Sequence, residues 1–200
     1  QKVGNGGLDT LNIKEITRLF TLINMKEKNH NKIKKLNKYA EINFGKIITI
    51  NKSIIKTLKN KSLKSKKNRY RICLHKNKNN LVNEMIIISN KNNYFRPHKH
   101  PNNIEESYSI IEGRLNVYLF NNYGKVIKII KMGPYNSNLE CNLRISANIW
   151  HMPLAMSKQV VYHEILIGPF VKSKSVVYAK WAPSENDSKK SISFLKEILV

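Results

Sequence analysis

The chain has 200 residues and a formal net charge of +23 at pH 7, from 36 Lys and Arg against 13 Asp and Glu. A hydrophobic content of 41% supports one sizeable core and excludes a disordered polycation. No run reaches the roughly 18 apolar residues of a membrane span, and no apolar signal core follows the first residues, so a cytoplasmic protein is expected. The charge is mostly lysine, with six arginines, and lacks the arginine forks and placed aromatics of sequence-specific nucleic-acid readers. What remains is salt-sensitive attraction to polyanions. Cys73 and Cys141 form no CxxC pair and are expected as free thiols.

Residues 8–24 carry Leu11, Ile16, Leu19, Phe20 and Ile23 at three- and four-residue steps, the spacing of an amphipathic helix with Asp9 or Thr10 as its cap. Residues 25–38, rich in Lys and Asn and containing a solvated His30, read as a linker or solvated helix. Residues 46–50 alternate into a short strand. Asn51 or Ser53 then caps a helix over residues 54–63, which ends in a basic, solvated run. Residues 70–75 and 81–89 read as strands, the second apolar enough to be buried. His75 is structural by default.

The stretch Arg96-Pro97-His98-Lys99-His100-Pro101-Asn102-Asn103-Ile104-Glu105-Glu106 carries the chemistry. Residues two apart on an extended segment share a face, so His98 and His100 aim at one point. Imidazole and carboxylate are ligands suited to Zn, Mn, Ni or Fe(II). If residues 106–111 form a strand, Glu106 shares the bulkier face with Tyr108 and Ile110, which favours Glu106 over Glu105 as the ligand; Glu105 would sit at the strand mouth. Arg96 reads equally as a partner for a substrate anion or as a rim salt bridge.

Beyond Gly113, residues 115–120 and 126–132 alternate as a hairpin around Asn121–Gly124. Residues 139–145 and 159–167 read as further strands. The last carries His163 and Glu164 on opposite faces, so only one of them can line an interior. A final helix, capped by Asp187 or Ser188, packs through Ile192, Phe194, Leu195, Ile198 and Leu199.

The run His98-x-His100, a spacer, Glu106, then six residues to Gly113 resembles the first cupin motif, with a five-residue spacer where three or four is usual. Ile145-Ser146-Ala147-Asn148-Ile149-Trp150-His151 resembles the second, with Ser-Ala-Asn in place of its Pro-x-Gly turn; Asn148 is able to take a positive φ there. In order, Arg96–His100, Val117–Gly124, Ile149–His151, Ile167–Phe170 and Trp181–Pro183 resemble WbuC-type cupin metalloproteins of surface-polysaccharide (O-antigen) biosynthesis, over roughly residues 46–200.

That resemblance implies a mainly β fold, a small antiparallel double-sheet jelly-roll (cupin) barrel with flanking helices at both ends. Residues 1–45 would form an appendage, 46–178 the barrel with its preceding helix, and 179–200 a Trp-Ala-Pro segment and helix. It implies one divalent transition metal (Zn, Mn, Fe or Ni) on His98, His100, Glu106 and His151. Glu164 would be a cavity carboxylate and, with Tyr108, an acid/base candidate; His75 and Arg96 would contact substrate. The expected function is isomerase- or epimerase-like Lewis-acid chemistry on a sugar or nucleotide-sugar, in a possible homodimer. An Fe(II) oxygenase and a non-catalytic small-molecule binder remain open as alternatives.

Overall fold

The computed structural model describes residues 12–18 and 31–199. Twelve strands among these residues form two sheets. The larger runs β1 (Ile33–Asn37), β2 (Ala40–Asn43), β3 (Arg69–Cys73), β4 (Val82–Asn90), β11 (Gln159–Ile167), β6 (Glu106–Glu112) and β9 (Asn142–Ile145). The smaller runs β12 (Val177–Tyr178), β5 (His98–Lys99), β10 (Trp150–Ala155), β7 (Leu115–Phe120) and β8 (Val126–Met132). Pairing is antiparallel except between β2 and β3. The two sheets pack face to face as a small jelly-roll barrel, as the motif resemblance implied.

Burial explains the strand patterns. On β6, Glu106, Tyr108 and Ile110 are buried and the residues between them are more exposed, which is the period of two expected for a face turned inward. Tyr108 and Ile110 meet Tyr162 of β11 and Leu115 and Val117 of β7 in the inter-sheet core. β4 is apolar on both faces because both are covered. Met85 and Ile87 join that core, whereas Ile86 and Ile88 lie under Leu58 of the helix Lys52–Leu63. Asn51 caps this helix by accepting from the Ile54 N–H at 3.0 Å. A third cluster seats the helix Ser188–Ile198 on Tyr94, Phe120, Met152 and Trp181. Asp187 is its cap, accepting from the Lys190 N–H at 3.1 Å.

Several expectations change. Residues 33–37, read within a linker or solvated helix, pair with residues 40–43 as the β1–β2 hairpin, which joins the larger sheet through parallel pairing with β3. Residues 46–50 alternate but form no strand; they lack a partner strand. On the last helix Phe194, Leu195 and Ile198 pack inward, while Ile192 and Leu199 are exposed. Of the helix expected over 8–24, residues 13–18 are helical and Asn12, not the expected Asp9 or Thr10, accepts from the Glu15 N–H at 3.0 Å; residues 8–11 and 19–24, like His30, lie outside the described residues. No helix among the described residues is long and apolar enough to cross a membrane.

Candidate metal centre

Both sheets contribute to one cluster. β5 lies between β10 and β12, and His98 is the direct cross-strand partner of His151 on one side and of Tyr178 on the other. His100 follows β5 immediately. Glu106 comes from the opposite sheet, at the start of β6 between Leu166 and Ile145. The five-residue spacer is taken up by a turn in which Asn102 and Asn103 both adopt positive φ, 57° and 61°. Asn148 also has a positive φ, 65°, and its N–H donates to the His100 carbonyl at 2.7 Å. That bond ties the two halves of the site together.

One ligand atom from each of His98, His100, Glu106 and His151 lies within 4.8 Å of the others. The imidazole orientations are set from behind. His98 Nδ1 lies 3.0 Å from the Arg96 carbonyl, His100 Nδ1 2.6 Å from that of Ser175, and His151 Nδ1 2.9 Å from that of Ile149. A carbonyl oxygen only accepts, so each Nδ1 carries a proton and each ring turns its Nε2 toward the cluster. Ligating histidines are held in this way in metalloproteins.

Glu106 is buried; one of its oxygens lies 3.4 Å from His100 Nε2 and the other contacts His151 Nε2. Even so, His100 Nε2, His151 Nε2 and Glu106 Oε1 make no hydrogen bond. Leaving a buried polar atom unpaired costs about 1–3 kcal/mol, and three in one place need a common partner. A divalent cation would satisfy all three, so the donor set fits a metal. Burial pushes the His98 imidazolium down to about 3 and the neighbouring His151 adds to the effect. Burial would raise the Glu106 carboxyl, but His151 and His100 hold it well below the carboxylate range. A neutral imidazole and an ionised carboxylate are the ligating forms.

The cluster opens into a cavity of about 520 Å³, within the range of small-molecule sites. Leu36, Ile42, Met85, Ile87 and Leu166 give it apolar walls. Glu164 and Tyr108 face each other across the β6–β11 pairing and both line the cavity. Burial raises the Glu164 carboxyl to about 7, with the Glu106 charge adding to it. Burial and the same charge raise the Tyr108 phenol well above its usual value. His163 points to the other face, 3.3 Å from Glu84.

The remaining sequence candidates fall in different places. His75 lines the cavity and is tied through Nδ1 to the Glu84 backbone at 3.0 Å. Arg96 does not line it. Its guanidinium donates twice to the Ala179 carbonyl, at 3.0 and 2.6 Å, and so fastens the segment after β12. Glu105 lies at the rim, paired with Arg144. Sequence reasoning missed Lys34 and Leu36 on β1 and Arg71 on β3, all of which line the cavity. The alternation Arg69-x-Arg71-x-Cys73 was the available signal, since residues two apart on a strand share a face.

A family model described as a domain of unknown function (DUF6016) matches residues 50–132, under half of the chain. No curated protein matches it. Among solved structures, the chain is similar to one from crystal structures of the DMSP lyases RdDddP and RnDddQII, at 15% identity and TM-score 0.37 over 50% of this chain and 44% of that one. Recombinant oxalate oxidase in complex with glycolate matches at 14% identity and TM-score 0.38, over 49% and 46%. KdgF from Halomonas sp. matches at 11% and 0.39, over 52% and 82%. Each match spans about half of this chain, and those to the lyase and the oxidase span less than half of their own length.

Proposed function

We propose that this chain is a metal-dependent isomerase or epimerase acting on a sugar or nucleotide-sugar intermediate of surface-polysaccharide synthesis. The observation that carries the reading is the meeting of three backbone-anchored imidazoles and a buried carboxylate at the wall of an apolar cavity that also holds Glu164. The sugar substrate rests on the motif resemblance to WbuC-type proteins. A divalent transition metal on His98, His100, Glu106 and His151 would supply Lewis acidity, making a C–H or O–H beside a bound carbonyl or hydroxyl more acidic.

The chain's own residues supply the rest. Glu164, held near neutrality by its burial, is poised to accept a substrate proton and return it, because a base works best with a pKa near the working pH. Tyr108 stays a neutral phenol and serves as a hydrogen-bond donor to substrate oxygen. The apolar walls limit competition from bulk water.

The test is incubation of metal-loaded protein in D₂O with a panel of nucleotide-sugars, read by NMR. Deuterium should enter one sugar carbon, and Glu164→Gln should slow that exchange by about 100-fold or more, the usual size of a general-base effect. A panel in which no sugar binds, exchanges or is converted overturns the proposal.

A further inference from the structure

The cavity has a second chemical character besides its metal ligands. Lys34, Arg69, Arg71, Lys76 and Lys78 all line it. Arg69 is neutralised by Glu185 at 2.6 Å, but the other four make no ion pair among the described residues. Lys34 sits over the Phe44 ring at 5.1 Å, which leaves its charge uncompensated. Glu106 faces the histidines, and Glu164 is a second buried carboxyl beside it. Glu185, the third carboxylate in the lining, is taken up by Arg69, and Glu164 feels the Arg71 charge without forming an ion pair with it, so no carboxylate pairs with Lys34, Arg71, Lys76 or Lys78 among the described residues.

Arg71 is the informative member, because it is not a random surface lysine. It occupies the barrel-facing side of β3 with Arg69 and Cys73, above apolar Met85 and Ile87. Lys76 and Lys78 project from a loop that is internally bonded. Asn77 accepts from the Asn79 N–H at 2.9 Å, Asn80 accepts from the Asn77 N–H at 3.2 Å, and the Lys78 carbonyl accepts from the Phe170 N–H at 2.7 Å. The two lysines thus start from a fixed frame. Lys34 approaches from β1, the hairpin strand added at the sheet edge.

We propose that Lys34, Arg71, Lys76 and Lys78 form a phosphate-binding subsite, so that the ligand carries a phosphate or diphosphate there and its reacting end toward the metal cluster. Several cations without counter-charge match a group with more than one negative charge, and a guanidinium fork matches phosphate oxygens in pairs. This inference deepens the sugar reading and rests on it for the reacting end, but the phosphate subsite is testable without it.

The probes are inorganic pyrophosphate and glucose 1-phosphate, with glucose and glucuronate as neutral and carboxylate controls. Binding is measured calorimetrically on chelator-treated protein, so that a metal cannot hold the anion. Both phosphates should bind, glucose should not, and glucuronate should bind more weakly than glucose 1-phosphate. The exposed pair Arg71→Gln/Lys76→Gln should lose about tenfold or more in pyrophosphate affinity, the scale of charge-assisted phosphate contacts. A control pair, Lys52→Gln/Lys56→Gln, removes the same charge from the helix surface and should change little.

Equal losses in both pairs would mean general attraction to a +23 chain and would overturn the subsite, as would unchanged binding in the cavity pair. Binding that needs restored metal, or glucuronate binding as tightly as glucose 1-phosphate, would overturn it as well. Metal binding by the untreated protein separates the two proposals: a protein that is metal-free and refuses added Zn, Mn, Ni and Fe(II), yet still binds pyrophosphate through Arg71, sinks the metal reading and leaves this one standing.

Discussion

Each of the three imidazoles is oriented by a bond on its far side, from Nδ1 to a backbone carbonyl two residues earlier or, for His100, to Ser175. Such bonds are local consequences of chain path, and the sequence does not display them. His98, His100 and, by preference over Glu105, Glu106 were legible as candidate ligands from period-two geometry, whereas His151 was reached only through the resemblance to the second cupin motif. Arg71 was not picked out, since one arginine in a lysine-rich chain carries no visible signal until its strand face is known. At this scale Glu164 makes a pH prediction. Its carboxyl is raised to about 7 in the folded chain, so between the usual carboxylate range and 7 the native state binds more protons than the unfolded state. Stability from this group is full at low pH and falls as pH rises, by up to about 1.4 kcal/mol per pH unit. Metal-free wild type should therefore lose stability relative to Glu164→Gln between about pH 5 and 7, measured by urea denaturation. A difference that stays flat with pH would contradict the assignment.

Strand readings succeeded where alternation coincided with a local turn. β7 and β8 flank a turn in which Asn121 accepts from the Tyr123 and Lys125 N–H groups, each at 3.0 Å, and the whole hairpin is legible in the alternation and turn residues alone. β1 and β2 were not legible, because their stability comes from pairing with β3 about thirty residues away in sequence, and lysine-rich edge strands look like linker. The turn before His151 makes a prediction at this scale. Asn148 holds φ 65° where the resembled motif has glycine. Asn148→Gly should be nearly neutral. Asn148→Val should cost about 1–2 kcal/mol from the left-handed backbone and also weaken metal binding, because the same turn carries the bond to the His100 carbonyl and leads into His151. Denaturation midpoints and metal titration of the two variants check this; a valine variant matching wild type in both would show that the turn does not set the site.

At the scale of the molecule, the candidate ligands assemble only when the two sheets close on each other. His98, His100 and His151 belong to the smaller sheet or its margin, and Glu106 to the larger. The fold class was legible from short strands and two motifs, but the cavity was not, since its walls draw on the hairpin, β3, β4, β11 and the loop before β12. A +23 chain reads at first as a polyanion binder; the structure places five of its cations around one cavity, and only Arg69 among them is ion-paired within the described residues.

The central claim is that the four residues hold a metal. Its most direct test is elemental analysis by mass spectrometry of protein purified without a metal-affinity tag, beside the double variant His98→Ala/His151→Ala with its fold checked by circular dichroism. The account predicts close to one equivalent of a divalent transition metal in the wild type and none in the folded variant. A wild type that is metal-free, and that also refuses added Zn, Mn, Ni and Fe(II), would contradict it.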